Sequence, residues 1–157
     1  MGVNLPPGNP GTHHRGVDEM PYVSLRDGSH IALLHVDHSN NVWIARQRLE
    51  PGTVLTRHLH TGPVHLVTLA GKWKYAEYDV WNTAGSYLFE PAGSVHTFTV
   101  PADNTEMTEI WFSITGSNVN LDDDDNVVSI FDARTISAYY ERECRRAGYE
   151  VPDIIKG

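Results

Sequence analysis

Cysteine, positive charge and long apolar runs are what this sequence has least of. Among its 157 residues there is one cysteine, Cys144, so no disulfide can form within the chain, and a chain of this length can bury a core without one. Twelve Lys and Arg residues face twenty Asp and Glu, for a net charge of −8. That balance argues against a nucleic-acid partner, because phosphate recognition needs clustered positive charge. No apolar run approaches the length of a membrane span.

The N-terminal segment has no apolar stretch typical of a secretory signal, which predicts a cytoplasmic location. Residues 1–20 are rich in Gly, Pro and His and predict an irregular arm. Residues 21–157 then form a single domain by this interpretation, since the length fits one domain and no internal repeat is visible.

Short apolar runs separated by Gly and Pro turns fill most of the chain. β-branched and aromatic residues are frequent in these runs, which is typical of strands in an all-β sandwich or barrel. The runs cover residues 30–36, 42–49, 54–60, 64–70, 72–78, 87–90, 95–100, 106–115 and 127–131. The pattern changes period at residues 132–148, where Asp132 can cap a C-terminal helix and Gly148 can end it.

Three histidines are the strongest candidates for metal ligands. In His58-Leu59-His60 the two imidazoles are two residues apart on a predicted strand, so they point to the same face. His96 follows a Pro-Ala-Gly turn and can supply a third ligand from another strand. A lone HxH pair is more often incidental than functional, so the prediction depends on the sequence around it.

That surrounding sequence resembles the two motifs of the cupin superfamily. Gly52, His58, His60 and Gly71 match the first motif, and Gly85, Pro91, Gly93 and His96 match the second. The resemblance implies a single small cupin barrel, which is a double-stranded β-helix or jelly roll, with the C-terminal helix packed on it. It also implies metal binding by His58, His60 and His96.

The first motif usually carries a glutamate ligand that this sequence lacks. Counting back from Gly71 places Val64 at that position, and Val64 cannot bind a metal. The neighbouring His65 points to the opposite face by strand parity. We therefore interpret His65 as a non-ligand, with a role as fourth ligand as the alternative.

A closer resemblance is to the 2,4'-dihydroxyacetophenone dioxygenase family and, more loosely, to acetylacetone-cleaving dioxygenases. It rests on three stretches, His58 to Pro63, Leu69 to Tyr75 and Phe89 to His96. The resemblance implies a non-haem Fe(II) enzyme that cleaves a C–C bond beside a carbonyl of a small ketone with O2. Imidazole ligands also accept Zn, Ni, Cu or Co, so the ligand set does not identify the metal.

Glu90, six residues before His96, is the predicted catalytic residue. It can orient a ligand imidazole, act as the base that forms an enolate, or serve as a weak fourth ligand. The competing interpretation is an exposed carboxylate at a strand end. Glu77 is a weaker candidate, because its parity relative to Gly71 turns it away from the pocket.

Two other functions remain open from the sequence. One is a metal-binding sensor or ligand-binding module without catalysis. The other is a metal-independent isomerase or epimerase, which the complete histidine triad argues against. The arm and the many apolar strand positions favour a homodimer or a higher homo-oligomer.

Overall fold

Fourteen strands and one helix make up the part of the chain, residues 11–157, that the computed structural model describes. The strands are Val23–Ser24 (β1), Ser29–Asp37 (β2), Val42–Leu49 (β3), His58–His60 (β4), Val64–Ala70 (β5), Lys72–Tyr75 (β6), Asn82–Thr83 (β7), Tyr87–Glu90 (β8), Val95–His96 (β9), Phe98–Thr99 (β10), Thr108–Thr115 (β11), Asn118–Leu121 (β12), Val127–Phe131 (β13) and Ile155–Lys156 (β14). The helix is Ala133–Arg146 (α1). The predicted arm falls partly outside the described residues, and residues 11–20 contain neither strand nor helix.

The strands form three sheets whose order along the sheet differs from their order in the chain. The largest has the order β1-β2-β3-β11-β5-β8, with β14 added beside β2. A second sheet has the order β13-β12-β4-β9, and a third has the order β10-β6-β7. Several strands that follow one another in the chain, such as β3 and β4 or β8 and β9, thus lie in different sheets, as the jelly-roll prediction requires.

Burial alternates along the central strands and places the core on the inner face of the large sheet. In β3 and β11 every second residue is buried, which is the period-2 pattern of a sheet covered on one side. The core includes Leu33, Ala45, Leu49 and Trp73, all fully buried. This apolar interior surrounds the histidine site described below.

The predicted strands agree best where β-branched and aromatic residues are continuous. The runs 42–49, 64–70, 87–90 and 127–131 coincide with β3, β5, β8 and β13. The run 54–60 is a strand only at His58–His60, and the run 95–100 is divided between β9 and β10. Strand β12 was not predicted, because its asparagines have low strand propensity. Its pairing with β4 and β13 supplies the hydrogen bonds that the local sequence does not specify.

The C-terminal helix begins and ends as its capping residues predict. The Asp132 side chain accepts hydrogen bonds from the backbone N–H groups of Arg134 and Thr135, which satisfies donors that have no partner within the helix. The helix buries Ile136, Tyr140 and Cys144. The hydroxyl of Tyr140 donates to the carbonyl of Pro21, 2.7 Å away, so the helix is tied to the start of the strand region.

Gly62 follows β4 at a place where no side chain fits. A Cβ atom at this position would meet the carbonyl oxygen of Thr115 well inside van der Waals contact. The close approach lets the end of β11 lie against the end of β4, which carries His58 and His60. The glycine of this turn therefore allows the chain that leaves β4 to pass close to the end of β11.

We expect the Gly62→Ala substitution to destabilise the protein by about 1–3 kcal/mol, because the added methyl must displace backbone atoms. The measurement is the free energy of unfolding from urea denaturation. Gly16→Ala is the matched control, since its Cβ would only reach the flexible side chain of Glu19 at 3.4 Å. A Gly62→Ala protein as stable as the control would contradict this explanation.

Candidate metal centre

Antiparallel pairing of two short strands brings the three predicted ligands together. In the β4–β9 ladder, His58 lies directly opposite His96, and His60 lies on the same face of β4 as His58. The ring centroid of His58 lies 4.9 Å from the ring centroid of His60 and 4.9 Å from that of His96. One nitrogen from each of the three rings lies within 4.8 Å of the others, so the group could hold a metal ion.

The Pro91–Gly93 turn fixes the distance between β8 and β4. The backbone N–H of Gly93 donates to the carbonyl of His60 at 2.7 Å, and the N–H of His60 donates to the carbonyl of Ser94 at 3.0 Å. These two bonds hold the turn against β4. As a result, Glu90, just before the turn, and His96, just after it, lie next to each other beside β4.

Two of the imidazoles are held in the neutral form that a metal ligand needs. Burial lowers the pKa of His58, and it lowers the pKa of His60 to about 3. The Nδ1 atom of His58 lies 2.8 Å from the carbonyl oxygen of Thr56. A carbonyl can only accept, so Nδ1 carries the proton and Nε2 keeps its lone pair for a ligand role.

Glu90 is buried against these histidines. The residue is only 3% exposed, so the interpretation of Glu90 as an exposed carboxylate at a strand end is wrong. The pairing of β8 with β5 turns it inward, opposite Val64. Its Oε2 atom lies 3.2 Å from Nε2 of His60 and 3.0 Å from Nε2 of His96.

The environment of Glu90 keeps its carboxyl group ionised. Burial raises the pKa of Glu90, but contacts with His96, His60 and the Tyr75 hydroxyl lower it, and the net direction is downward. A buried negative charge is costly unless a cation compensates it. The site is therefore electrostatically suited to a positive ion.

Tyr75 is a component of the site to which the sequence analysis assigned no role. Its hydroxyl donates a hydrogen bond to Oε1 of Glu90, and its ring stacks on His96 with centroids 3.8 Å apart. Burial and the negative charge of Glu90 raise its pKa well above the usual value, so the hydroxyl stays a donor. Strand alternation from the buried Trp73 could have indicated its inward direction.

The polar atoms left without partners fit a metal ion at this point. Nε2 of His96 and Oε2 of Glu90 are two of the six buried side-chain atoms in residues 11–157 that have no hydrogen-bond partner. Buried polar groups are rarely left unpaired, and such a group indicates a missing ligand or ion. Oε2 of Glu90 lies close to Nε2 of both His60 and His96, so a positive ion held by the imidazoles would be offset by the charge of this carboxylate.

A cavity of about 110 Å³ opens beside the histidines. It is several times larger than the ~10–15 Å³ that one water needs. Its wall is mainly apolar, and the residues that form it include Val64, Leu66, Phe98, Ile110, Phe112 and Ile114. A small organic molecule can therefore sit next to the site with most of its surface away from water.

The model of one protein family, the ChrR Cupin-like domain, matches residues 11–117. The chain belongs to this family. The match includes all three histidines, Glu90 and Tyr75. No curated protein matches this ChrR cupin-like chain.

Solved structures with this architecture include proteins of unknown and of known activity. A cupin-like protein of unknown function from Ralstonia eutropha JMP134 is 34% identical, with a TM-score of 0.80 over 93% of this chain and 95% of that one. An RmlC-like cupin from the same organism is 24% identical, with a TM-score of 0.85 over 92% and 94%. An acetylacetone dioxygenase from Acinetobacter johnsonii is 19% identical, with a TM-score of 0.76 over 91% and 99%. The two lower identities establish the likeness of fold alone.

His65 and Glu77 lie outside the site of this ChrR cupin-like domain. His65 is exposed on the outer face of β5, and its Nδ1 lies 2.8 Å from the hydroxyl of Tyr87, as strand parity predicted. Glu77 is exposed beyond the end of β6 and accepts a hydrogen bond from the N–H of Thr97 at 3.0 Å. Neither residue reaches the three histidines.

Three arginines on or near the strands of the site form ion pairs elsewhere. Arg46 and Arg48 form ion pairs with Glu109, and Arg57 pairs with Asp125.

No helix in residues 11–157 is long and apolar enough to cross a membrane.

Proposed function

We propose that this chain is an Fe(II)-dependent dioxygenase that cleaves the C–C bond beside a carbonyl of a small hydroxyketone or diketone with O2. His58, His60 and His96 would hold the metal ion. The observation that carries the proposal is the convergence of three buried imidazoles and one buried carboxylate, of which His58, His60 and Glu90 line an apolar cavity. The likeness to an acetylacetone dioxygenase in fold supports it.

The charge of the ligand set fits such a substrate. Three neutral imidazoles leave the full positive charge of a divalent ion, and the bound ion would polarise the carbonyl as a Lewis acid and bring the ketone and O2 together. A hydroxyketone that loses a proton becomes an anion, whose charge offsets the dication. One O2 adds one oxygen atom to each carbon of the broken bond, so a hydroxyketone would give the shortened carboxylic acid and formate, and a β-diketone would give one carboxylic acid and one ketoaldehyde.

Glu90 would remove the proton from the carbon beside the carbonyl. Oε1 accepts the hydrogen bond from Tyr75, so Oε2 is the oxygen that faces the cavity wall beside the histidines and can take the proton. The Tyr75 hydroxyl limits rotation of the carboxylate. The apolar lining excludes water, which keeps the enolate from being reprotonated by solvent.

A metal-binding sensor or ligand-binding module is the second candidate. It is favoured by the ChrR cupin-like family to which the chain belongs. A binding module needs the histidines and the cavity but no base. The two functions therefore differ in what Glu90 must do, and turnover distinguishes them.

The test is oxygen uptake by metal-stripped protein that is reloaded anaerobically with Fe(II) and mixed with 2,4'-dihydroxyacetophenone or acetylacetone. We expect O2 consumption with formation of the cleaved acid, because Fe(II) and not Zn(II) can react with O2. The Zn(II)-loaded protein is the control. Tight metal binding without uptake across a panel of hydroxyketones and diketones would reject the enzyme and favour the binding module.

A further inference from the structure

The inner face of the large sheet carries one buried amide side chain, Gln47, in the middle of apolar residues. Gln47 is only 7% exposed and contributes to the wall of the cavity. Its neighbours across the sheet are Ile31 on β2 and Ile110 on β11. A buried amide without hydrogen-bond partners is unfavourable in such a wall. The hydrogen bonds that Gln47 makes, and the one that it lacks, therefore indicate its role.

Asp27 and Ser29 fix the orientation of the Gln47 amide. The hydroxyl of Ser29 donates to Oδ1 of Asp27 at 2.6 Å. Since that proton is used, Ser29 can only accept from Gln47, and the Gln47 Nε2 group lies 2.9 Å from its oxygen. Gln47 therefore donates to Ser29, and Ser29 donates to Asp27. This direction identifies the amide nitrogen Nε2 as the atom that faces Ser29, and it leaves the carbonyl oxygen Oε1 as the other polar atom of the side chain.

In the described part of the chain, no group donates a hydrogen bond to Oε1 of Gln47. This carbonyl oxygen is therefore an acceptor available to a molecule in the cavity. An acceptor fixed in this way selects for a donor and against an apolar group of the same shape.

Strand register separates this acceptor from the metal centre. Glu90 lies opposite Val64, whereas Gln47 lies in the row of Ile110 and Thr68. Val64 and Thr68 are four residues apart on β5, which is roughly 13 Å along the strand. A molecule that contacts both ends must be longer than a simple aliphatic diketone and must carry a donor at its far end.

We propose that Gln47 is the specificity-determining residue of this cavity. It accepts a hydrogen bond from a hydroxyl group at the end of the ketone that is remote from the carbonyl, and Ser29 and Asp27 are the positioning residues that hold its amide. The inference rests on the proposed function, because the ketone end must lie at the histidines. It selects ketones that carry a hydroxyl group remote from the carbonyl over simple aliphatic diketones.

The test is the affinity of the Zn(II)-loaded full chain for two ketones, measured by titration calorimetry without O2. The probes are 2,4'-dihydroxyacetophenone and 2-hydroxy-4'-methoxyacetophenone, which has the same oxygen but no donor. One added hydrogen bond in a buried site predicts a preference of about 5- to 10-fold for the phenol. Equal affinities for the wild-type protein, or failure of both ketones to bind, would overturn the proposal without any variant.

Two substitutions locate the effect. Gln47→Met keeps the length of the side chain but removes the acceptor, so the ratio of the two affinities should fall to about one. Ser29→Ala leaves the acceptor but frees the amide to turn, so the ratio should fall to an intermediate value. If the ratio of the two affinities is unchanged in a folded Gln47→Met protein, the hydroxyl group binds elsewhere and the role proposed for Gln47 is wrong.

The outcomes for the specificity residue and for the enzyme are separable. Discrimination between the two ketones by the Zn(II) protein, with no O2 uptake by the Fe(II) protein, rejects the dioxygenase and keeps the role of Gln47. Oxygen uptake with both ketones at equal affinity rejects the role of Gln47 and keeps the dioxygenase.

Discussion

Replacing His96 by alanine should weaken metal binding by at least about 100-fold and abolish ketone-dependent oxygen uptake. Loss of a group that merely orients a metal ligand costs about 10–100-fold in affinity, and His96 is placed as a ligand itself. Its ring is 1% exposed and its Nε2 has no hydrogen-bond partner among the described residues. The measurements are metal content after dialysis, competition titration with a chelator, and O2 consumption.

The matched control for this experiment is His65→Ala. His65 is also a strand histidine, but it lies on β5 of the large sheet, where it is exposed and interacts with Tyr87 on the outer face. We expect metal content and oxygen uptake to stay at the wild-type level. A His96→Ala protein that retains one equivalent of metal as tightly as His65→Ala would show that the three imidazoles are not the metal site.

Replacing Glu90 by glutamine should lower kcat by about 10²–10⁴-fold while the protein still binds one metal ion. The range is the usual contribution of a positioned general base. Glutamine has the shape of glutamate and keeps an oxygen that can accept the Tyr75 hydrogen bond. It cannot take up the proton from the carbon beside the carbonyl, so the loss should fall on kcat and not on metal content.

This experiment distinguishes the three possible roles of Glu90, and Glu77→Gln is its control. Glu77 is an exposed carboxylate that accepts from the backbone of Thr97, so its loss should change kcat little. If Glu90→Gln loses the metal as well, Glu90 is a fourth ligand. Unchanged kcat and unchanged metal content would make it a bystander, despite its burial.

The period of a strand was enough to predict the direction of several side chains. Side chains two residues apart share a face, so His58 and His60 had to point together and His65 had to point away from Val64 and Leu66. Local sequence also fixed the ends of the C-terminal helix, because Asp132 satisfies the N–H groups that helix geometry leaves open. These features depend on neighbours within a few residues.

The environment of Glu90 could not be obtained in this way. Its position at the end of an apolar run is equally compatible with an exposed rim and a buried site. Burial was decided by the pairing of β8 with β5 and by the turn that bonds to His60. The contact of Tyr75 with Glu90 and His96 likewise joins three strands that are separated in the sequence.

The sequence by itself therefore determined the candidate ligands, their shared face and the family of folds, because alternation and turn residues act over short distances. Only the tertiary structure decided which carboxylate is buried, which tyrosine holds it, and how Ser29 orients Gln47 in the cavity wall. Those relations depend on which strands are neighbours and in what register. The register is set by packing the inner faces of the sheets against each other, which no local segment of the chain encodes.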